Sequence, residues 1–148
     1  MKEKKKHTFL IEGPISPQRI ADSIGSHSRK KNIGAHQIFL GQVRADIIEG
    51  KTVAAIDYSV YKEMAEIEIE RIREEIIVAH QLTCAHVLHS IGKIIAGEIC
   101  FFVFVSSPHR QAAFDACTDM VNRIKKEVPI FGKEIFDDES YQWKKNKM

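Results

Sequence analysis

The 148-residue sequence predicts an α+β fold, with helices packed on a mostly antiparallel sheet. Three observations carry this prediction. The hydrophobic period switches repeatedly between strand-like and helix-like, which gives the order β-α-β-β-α-β-β-α. The two longer helical stretches each carry a single apolar stripe and so need a surface to cover. The strand over residues 98–106, within EICFFVFVSS, is apolar on both faces, as a central strand buried on two sides must be.

The elements follow in chain order. Residues 7–12 form a short apolar run and a first strand. In ISPQRIADSIG, Ser16 is a good N-cap, Pro17 suits the first helical position, and Gly25 is a natural stop. SHSRKKN is a basic loop. GAHQIFLGQVR, residues 34–44, is a strand rich in bulky apolar side chains and interrupted at Gly41. ADIIEGK is a turn or mobile loop, and TVAAIDYSVY, residues 52–61, is a strand with β-branched residues and partial alternation.

From residue 61 to about residue 80 the period becomes helical. Ala65, Ile69, Ile72 and Ile76 share one face, and Glu63, Glu66, Glu70 and Glu74 lie on the other. Ile67 falls among the polar residues, where only an interface would cover it. Residues 84–91 and 98–106 are two strands joined by IGKIIAGE, a hairpin-like connection with glycine near both ends. A last helix spans residues 111–127, with Ala113, Cys117, Met120, Val121 and Ile124 as its stripe and Phe114 at the edge. The chain reads as one domain over residues 1–148, with a basic tail at 1–6 and a polar C-terminal tail at 135–148 that contains WKKNK.

Composition narrows the function. Apolar residues make up 44% and charged residues 28%, an ordinary globular balance. The formal net charge of +2 argues against strong general affinity for nucleic acid. No apolar run approaches the ~18 residues of a membrane span, and the N-terminus lacks the apolar core of a signal peptide. Cys84, Cys100 and Cys117 are an odd number without CxxC spacing. That argues against a disulfide framework or a zinc site and makes a reducing cytoplasm the default setting.

Two basic segments bracket the last helix: SSPHR at residues 106–110 and IKKEVPIFGKE at residues 124–134. On a helical wheel Lys126 points away from the apolar stripe, whereas Lys125 lies only about 80° from its centre, at the boundary between buried and exposed. A lysine there can run its stem over the core edge and present its ammonium in a cleft. Pro129 ends the helix, Ile130 and Phe131 anchor a turn, and Gly132 lets it bend, so that Lys133 can fold back towards Lys125. The ordinary alternative is a pair of surface lysines near a helix C-terminus. At the other end, backbone amides favour an anion, and His109 and Arg110 add a switchable charge and a bidentate donor. A plain capping loop built on Ser106 or Ser107 fits the same residues. His86 and His89, three apart in a strand, point to opposite faces and make a poor metal pair.

GAHQIFLGQVR, YKEMAEIEI, HSIGKIIAGE, SSPHRQAAFDAC and IKKEVPIFGKE, in this order over residues 34–145, resemble the catalytic (large) subunit of molybdopterin synthase. The resemblance implies an α/β hammerhead-type fold and a homodimer. Each large subunit of that family binds one small ubiquitin-like sulfur carrier, giving a heterotetramer. The carrier's C-terminal Gly-Gly thiocarboxylate donates sulfur to cyclic pyranopterin monophosphate, and two transfers make the dithiolene of molybdopterin. No cofactor, metal or protein cysteine is implied, because the sulfur arrives on the partner.

Residue by residue, the resemblance makes Lys125 a catalytic lysine. It makes Gln42, Val43 and Arg44 a substrate-contacting strand end, and His109 and Arg110 the family's His-Arg pair. After the proline the family often has tryptophan, two basic residues and glutamate. Here Phe131, Gly132, Lys133 and Glu134 stand there, so the first basic position is glycine. Lys133, one position on, is the expected second catalytic lysine, with Lys126 the weaker substitute. An inactive carrier-binding paralogue and a non-enzymatic anion-binding module are the rival readings.

Overall fold

A computed structural model describes residues 8–144, so the basic tail expected at residues 1–6 lies outside the described residues. The elements are β1 (Leu10–Glu12), α1 (Pro17–Ser26), β2 (Ala35–Gln42), β3 (Ile47–Ile48), β4 (Lys51–Val60), α2 (Lys62–His80), β5 (Cys84–Ile95), β6 (Ile99–Ser107), α3 (Arg110–Glu127), β7 (Ile130–Phe136) and β8 (Tyr141–Trp143). The sheet runs β2-β6-β5-β4-β7-β8, with β3 on β4 and β1 on β5. Every pairing is antiparallel except that of β1 with β5. The predicted α+β class and all three helices are present. No helix among the described residues is long and apolar enough to cross a membrane.

Both faces of β6 are covered. Phe101, Val103 and Val105 face the cluster beneath α2 and α3, while Phe102 and Phe104 pack with Ile15, Ile20 and Leu88 beneath α1. Ile69, Ile72 and Ile76 of α2 and Met120 and Ile124 of α3 are almost wholly buried in the larger cluster. The acidic face of α2 is more than a solvated surface. Glu66 accepts from the Phe9 backbone N–H at 3.0 Å. Arg71 bridges Glu68, Glu75 and Glu127, which ties α2 to α3. Ile67 is 61% exposed, on the polar side as predicted.

Ser16 caps α1 by accepting from Arg19 N–H, and Pro17 opens the helix, as its fixed φ favours. ADIIEGK is not a loose loop: Ile47 and Ile48 pair back onto β4 through a turn with positive φ at Glu49 and Gly50. Gly34 keeps the chain close to the α3 entry loop. A Cβ there would sit 2.1 Å from the Pro108 carbonyl oxygen. Gly34→Ala is expected to cost about 1–3 kcal/mol or more, because backbone rather than a side chain must move. A thermal melt checks this, and an unchanged midpoint contradicts it.

Two sequence readings are corrected. IGKIIAGE is mostly strand: β5 continues to Ile95, and only residues 96–98 form the loop. Up to His89 this strand pairs with β6, and from Gly92 it pairs with β4. Gly92, at φ +86°, makes the change of direction, and buried Ile94 holds the second half to the core. Of the segment given as a polar tail, residues 135–143 belong to a β-hairpin, and residues 145–148 lie outside the described residues. Residues 130–136 pair with β4 along most of its length, and β8 adds outside them. Phe136 is buried. Gly132 is therefore an extended strand residue, and the chain reverses instead at Val128 and Pro129, where Val128 leaves helical geometry.

Candidate active site

α3 carries candidate site residues at both ends. At its C-terminal turn, Lys125 leaves part of its surface in solvent, yet enough protein surrounds the ammonium that burial lowers its pKa. The positive charges of Lys144 and Arg44 push it down further. Arg44 follows the end of β2, where the register slips between Gly41 and Gln42. It is largely exposed and pairs with Asp46 at 3.3 Å. Gln42 is also exposed, but Val43 is 1% exposed and packs in the core. The part of Val43 that stays polar is its backbone, already bonded to Glu98 and Gly97.

Strand alternation sorts the hairpin residues. Tyr58 lies opposite Gly132, and Ile56 opposite Glu134. These four share the inner face with the core. Lys133 lies between Asp57 and Trp143 on the outer face, its ammonium 4.6 Å from the Tyr141 ring centroid. The expected fold-back of Lys133 to Lys125 does not occur, because Gly132 does not bend and period-2 alternation turns Lys133 outward. Lys126 is exposed beside it on the helix. Glu134 is buried and accepts from Gln142 Nε2 at 3.2 Å.

At the other end of α3, His109 is the extended N-cap residue and Arg110 the first helical residue; both are exposed. Neither serine caps the helix. The Ser107 hydroxyl donates to the His109 carbonyl, and the Ser106 hydroxyl pairs with His36 Nδ1 at 2.6 Å. No side-chain bond caps the first turn of α3, so the capping-loop alternative is not what the structure contains. Eighteen helical residues separate this end from the other by about 27 Å. One chain therefore assembles Lys125 with Arg44 but leaves His109 and Arg110 distant.

The inner face of the sheet holds groups that sequence reasoning passed over. Tyr58 donates to Cys100 Sγ at 3.5 Å, and its ring meets the His89 imidazole with centroids 5.0 Å apart. Burial holds the Tyr58 phenol protonated, well above its usual range. His89 is buried, and its Nδ1 donates to the Ser90 carbonyl at 2.8 Å. Burial lowers its pKa to about 4 from the ordinary 6.5, with Lys125 and Lys144 acting in the same direction. The signal for these residues was alternation within β4 and β5, which places Tyr58 and His89 on the core side. His86 and His89 do face opposite sides of the sheet. Beneath α1, the ligand atoms of His27, Cys84 and His86 lie within 4.8 Å of one another. His27 Nδ1 donates to the Ser23 carbonyl, and the two Nε2 atoms lie 2.8 Å apart. One N–H on His86 therefore satisfies both rings without an ion.

The depressed His89 pKa has a stability consequence. Between about pH 6.5 and pH 4 the unfolded chain binds a proton on this imidazole that the folded chain refuses. Stability is complete above that window and falls as pH drops through it, by about 2 kcal/mol between pH 7 and pH 5. Urea midpoints at the two pH values measure this. His89→Gln should remove that part of the slope, and an equal slope in the variant contradicts the assignment.

The domain is thus an α+β fold in which an arginine and a second lysine lower the pKa of a partly desolvated lysine. Residues 10–127 match the family model of the MoaE protein, and the chain belongs to the MoaE family. It is 40% identical to the molybdopterin synthase catalytic subunit of Pyrococcus abyssi over 105 residues, 71% of this chain and 70% of that one. Against the molybdopterin synthase catalytic subunit of Oryza sativa subsp. indica the identity is 37% over 121 residues, 82% of this chain and 62% of the rice protein. Its fold matches molybdopterin synthase from Staphylococcus aureus with TM-score 0.82 and 29% identity, over 97% of this chain and all of that one. A complex of subunits 1 and 2 of molybdopterin-converting factor from Helicobacter pylori shares the fold at TM-score 0.79 and 16% identity, over 95% and 91% of the two chains.

Proposed function

We propose that this chain is the catalytic subunit of a molybdopterin synthase, a sulfurtransferase of molybdenum cofactor biosynthesis. It moves sulfur from the C-terminal Gly-Gly thiocarboxylate of a small carrier subunit to cyclic pyranopterin monophosphate. The observation that carries this reading is Lys125, whose pKa is lowered by burial and by the charges of Lys144 and Arg44, in a chain of the MoaE family.

The chemistry follows from the charges. The carrier's end is anionic both before and after sulfur leaves it, and the pterin carries a cyclic phosphate, so a cationic pocket draws in both partners. Lys125 has its pKa lowered, so more of it is neutral amine, available as base or nucleophile. Arg44, His109 and Arg110 supply charge and hydrogen-bond donors for the phosphate. Gln42 and Val43 adjoin Arg44 at the end of β2, and Gly132 and Glu134 share the inner face of β7, which supports counting them with the site. The separation along α3 supports a pocket in which His109 and Arg110 come from the second copy of a homodimer, with two carriers making a heterotetramer. The three buried, unpaired thiols suit a reducing cytoplasm.

Intact-mass measurement of the carrier tests the reading. The thiocarboxylate should become a carboxylate only when this chain and the pterin are both present. Loss of sulfur without the pterin, or none with it, contradicts the proposal.

A further inference from the structure

We propose that Lys144 is the second lysine of the transfer pocket, occupying space that Gly132 leaves open and setting a fixed positive charge beside Lys125. This rests on the transfer reading above and names a residue that reading did not contain. The β7–β8 register pairs Lys133 with Trp143 and Glu134 with Gln142. One step further, Lys144 stands opposite Gly132, and its N–H donates to the Gly132 carbonyl at 2.7 Å. Residues directly opposite in an antiparallel pair project to the same face. Lys144 therefore shares the inner face with Gly132, Tyr58 and Glu134, the face from which Lys133 is turned away.

Glycine at 132 is what makes this placement possible. A Cβ there would lie 3.1 Å from Ile56 Cγ2 and 3.7 Å from Lys144 Cβ. A long side chain at 132 would compete with Lys144 for one volume, so the recess takes a lysine from one strand or from its neighbour, not from both. The Lys144 charge is felt where the chemistry needs it, since it lowers the pKa of both Lys125 and His89. The roles then divide. Lys144, on the open side of the hairpin and exposed, meets the carrier's terminal carboxylate. Lys125, more desolvated and beside that charge, provides the amine.

The test compares Lys144→Ala, Lys144→Arg and Lys133→Ala in the reconstituted reaction and also reads the pKa of Lys125 directly, by NMR of the reductively methylated protein without substrate. Lys144→Ala should lower turnover by about tenfold or more, as loss of a preorganised charge does. It should also raise the Lys125 pKa and move the acid limb of the pH–rate profile upward. Lys144→Arg should restore the charge and both pKa readouts, and Lys133→Ala should turn over like the parent. An unchanged Lys125 pKa in Lys144→Ala, or loss of turnover in Lys133→Ala with Lys144→Ala near normal, overturns the assignment. Should Lys144→Ala not fold, Lys144→Gln gives the same readings. A parent chain that makes no product sinks the transfer reading itself, whereas a parent that works and a Lys125 pKa indifferent to Lys144 sinks only this inference.

Discussion

Lys125→Ala is expected to reduce dithiolene formation by about 10²–10⁴-fold, the usual contribution of a positioned acid–base group, with the thermal midpoint near that of the parent. The side chain is partly solvent-exposed, so truncation leaves no large cavity. Lys126 is exposed on the helix and Lys133 lies on the outer face of the hairpin, so neither takes over its place. Lys125→Arg separates two roles. Arginine keeps the charge but stays protonated, so activity should remain low if the neutral amine is needed. Near-normal turnover in Lys125→Ala would remove this residue from the mechanism.

A mixture of two inactive variants should regain activity. If the pocket joins Lys125 of one copy to Arg110 of the other, Lys125→Ala and Arg110→Ala are each inactive alone. Their heterodimer rebuilds one intact pocket of its two. Random re-pairing in a two-fold dimer makes half the dimers mixed, so about a quarter of the sites should work. The physical basis is the length of α3, which no side chain spans. Rates are compared after co-expression, with mass spectrometry confirming the heterodimer. Confirmed heterodimers without recovery would place both residues in the same subunit's site and contradict the shared pocket.

The longer helices were legible because their stripes are long and regular: Ala65, Ile69, Ile72 and Ile76 occupy the buried face that their spacing predicts. The apolar run of β6 was legible for the same reason, since both of its faces are covered. The C-terminal hairpin was not. Its inner face carries Gly132 and buried Glu134, which break the hydrophobic alternation that marks a strand, and β8 is a short, exposed edge. That omission set the expected bend at Gly132, which the structure replaces with a strand. With a bend at Gly132, Lys133 reaches inward; with an extended strand there, it cannot. The positions of Lys125 and Arg44 were legible from wheel position and strand end, whereas the position of Lys144 opposite Gly132 follows only from the cross-strand register.

The most direct test is reconstitution of the purified chain with a thiocarboxylated carrier subunit and cyclic pyranopterin monophosphate, with the dithiolene product detected as its fluorescent oxidation derivative. The account predicts product that depends on all three components and disappears with Lys125→Ala. Carrier bound to the chain with no product formed would contradict it, and would make this chain a carrier-binding protein without transferase activity.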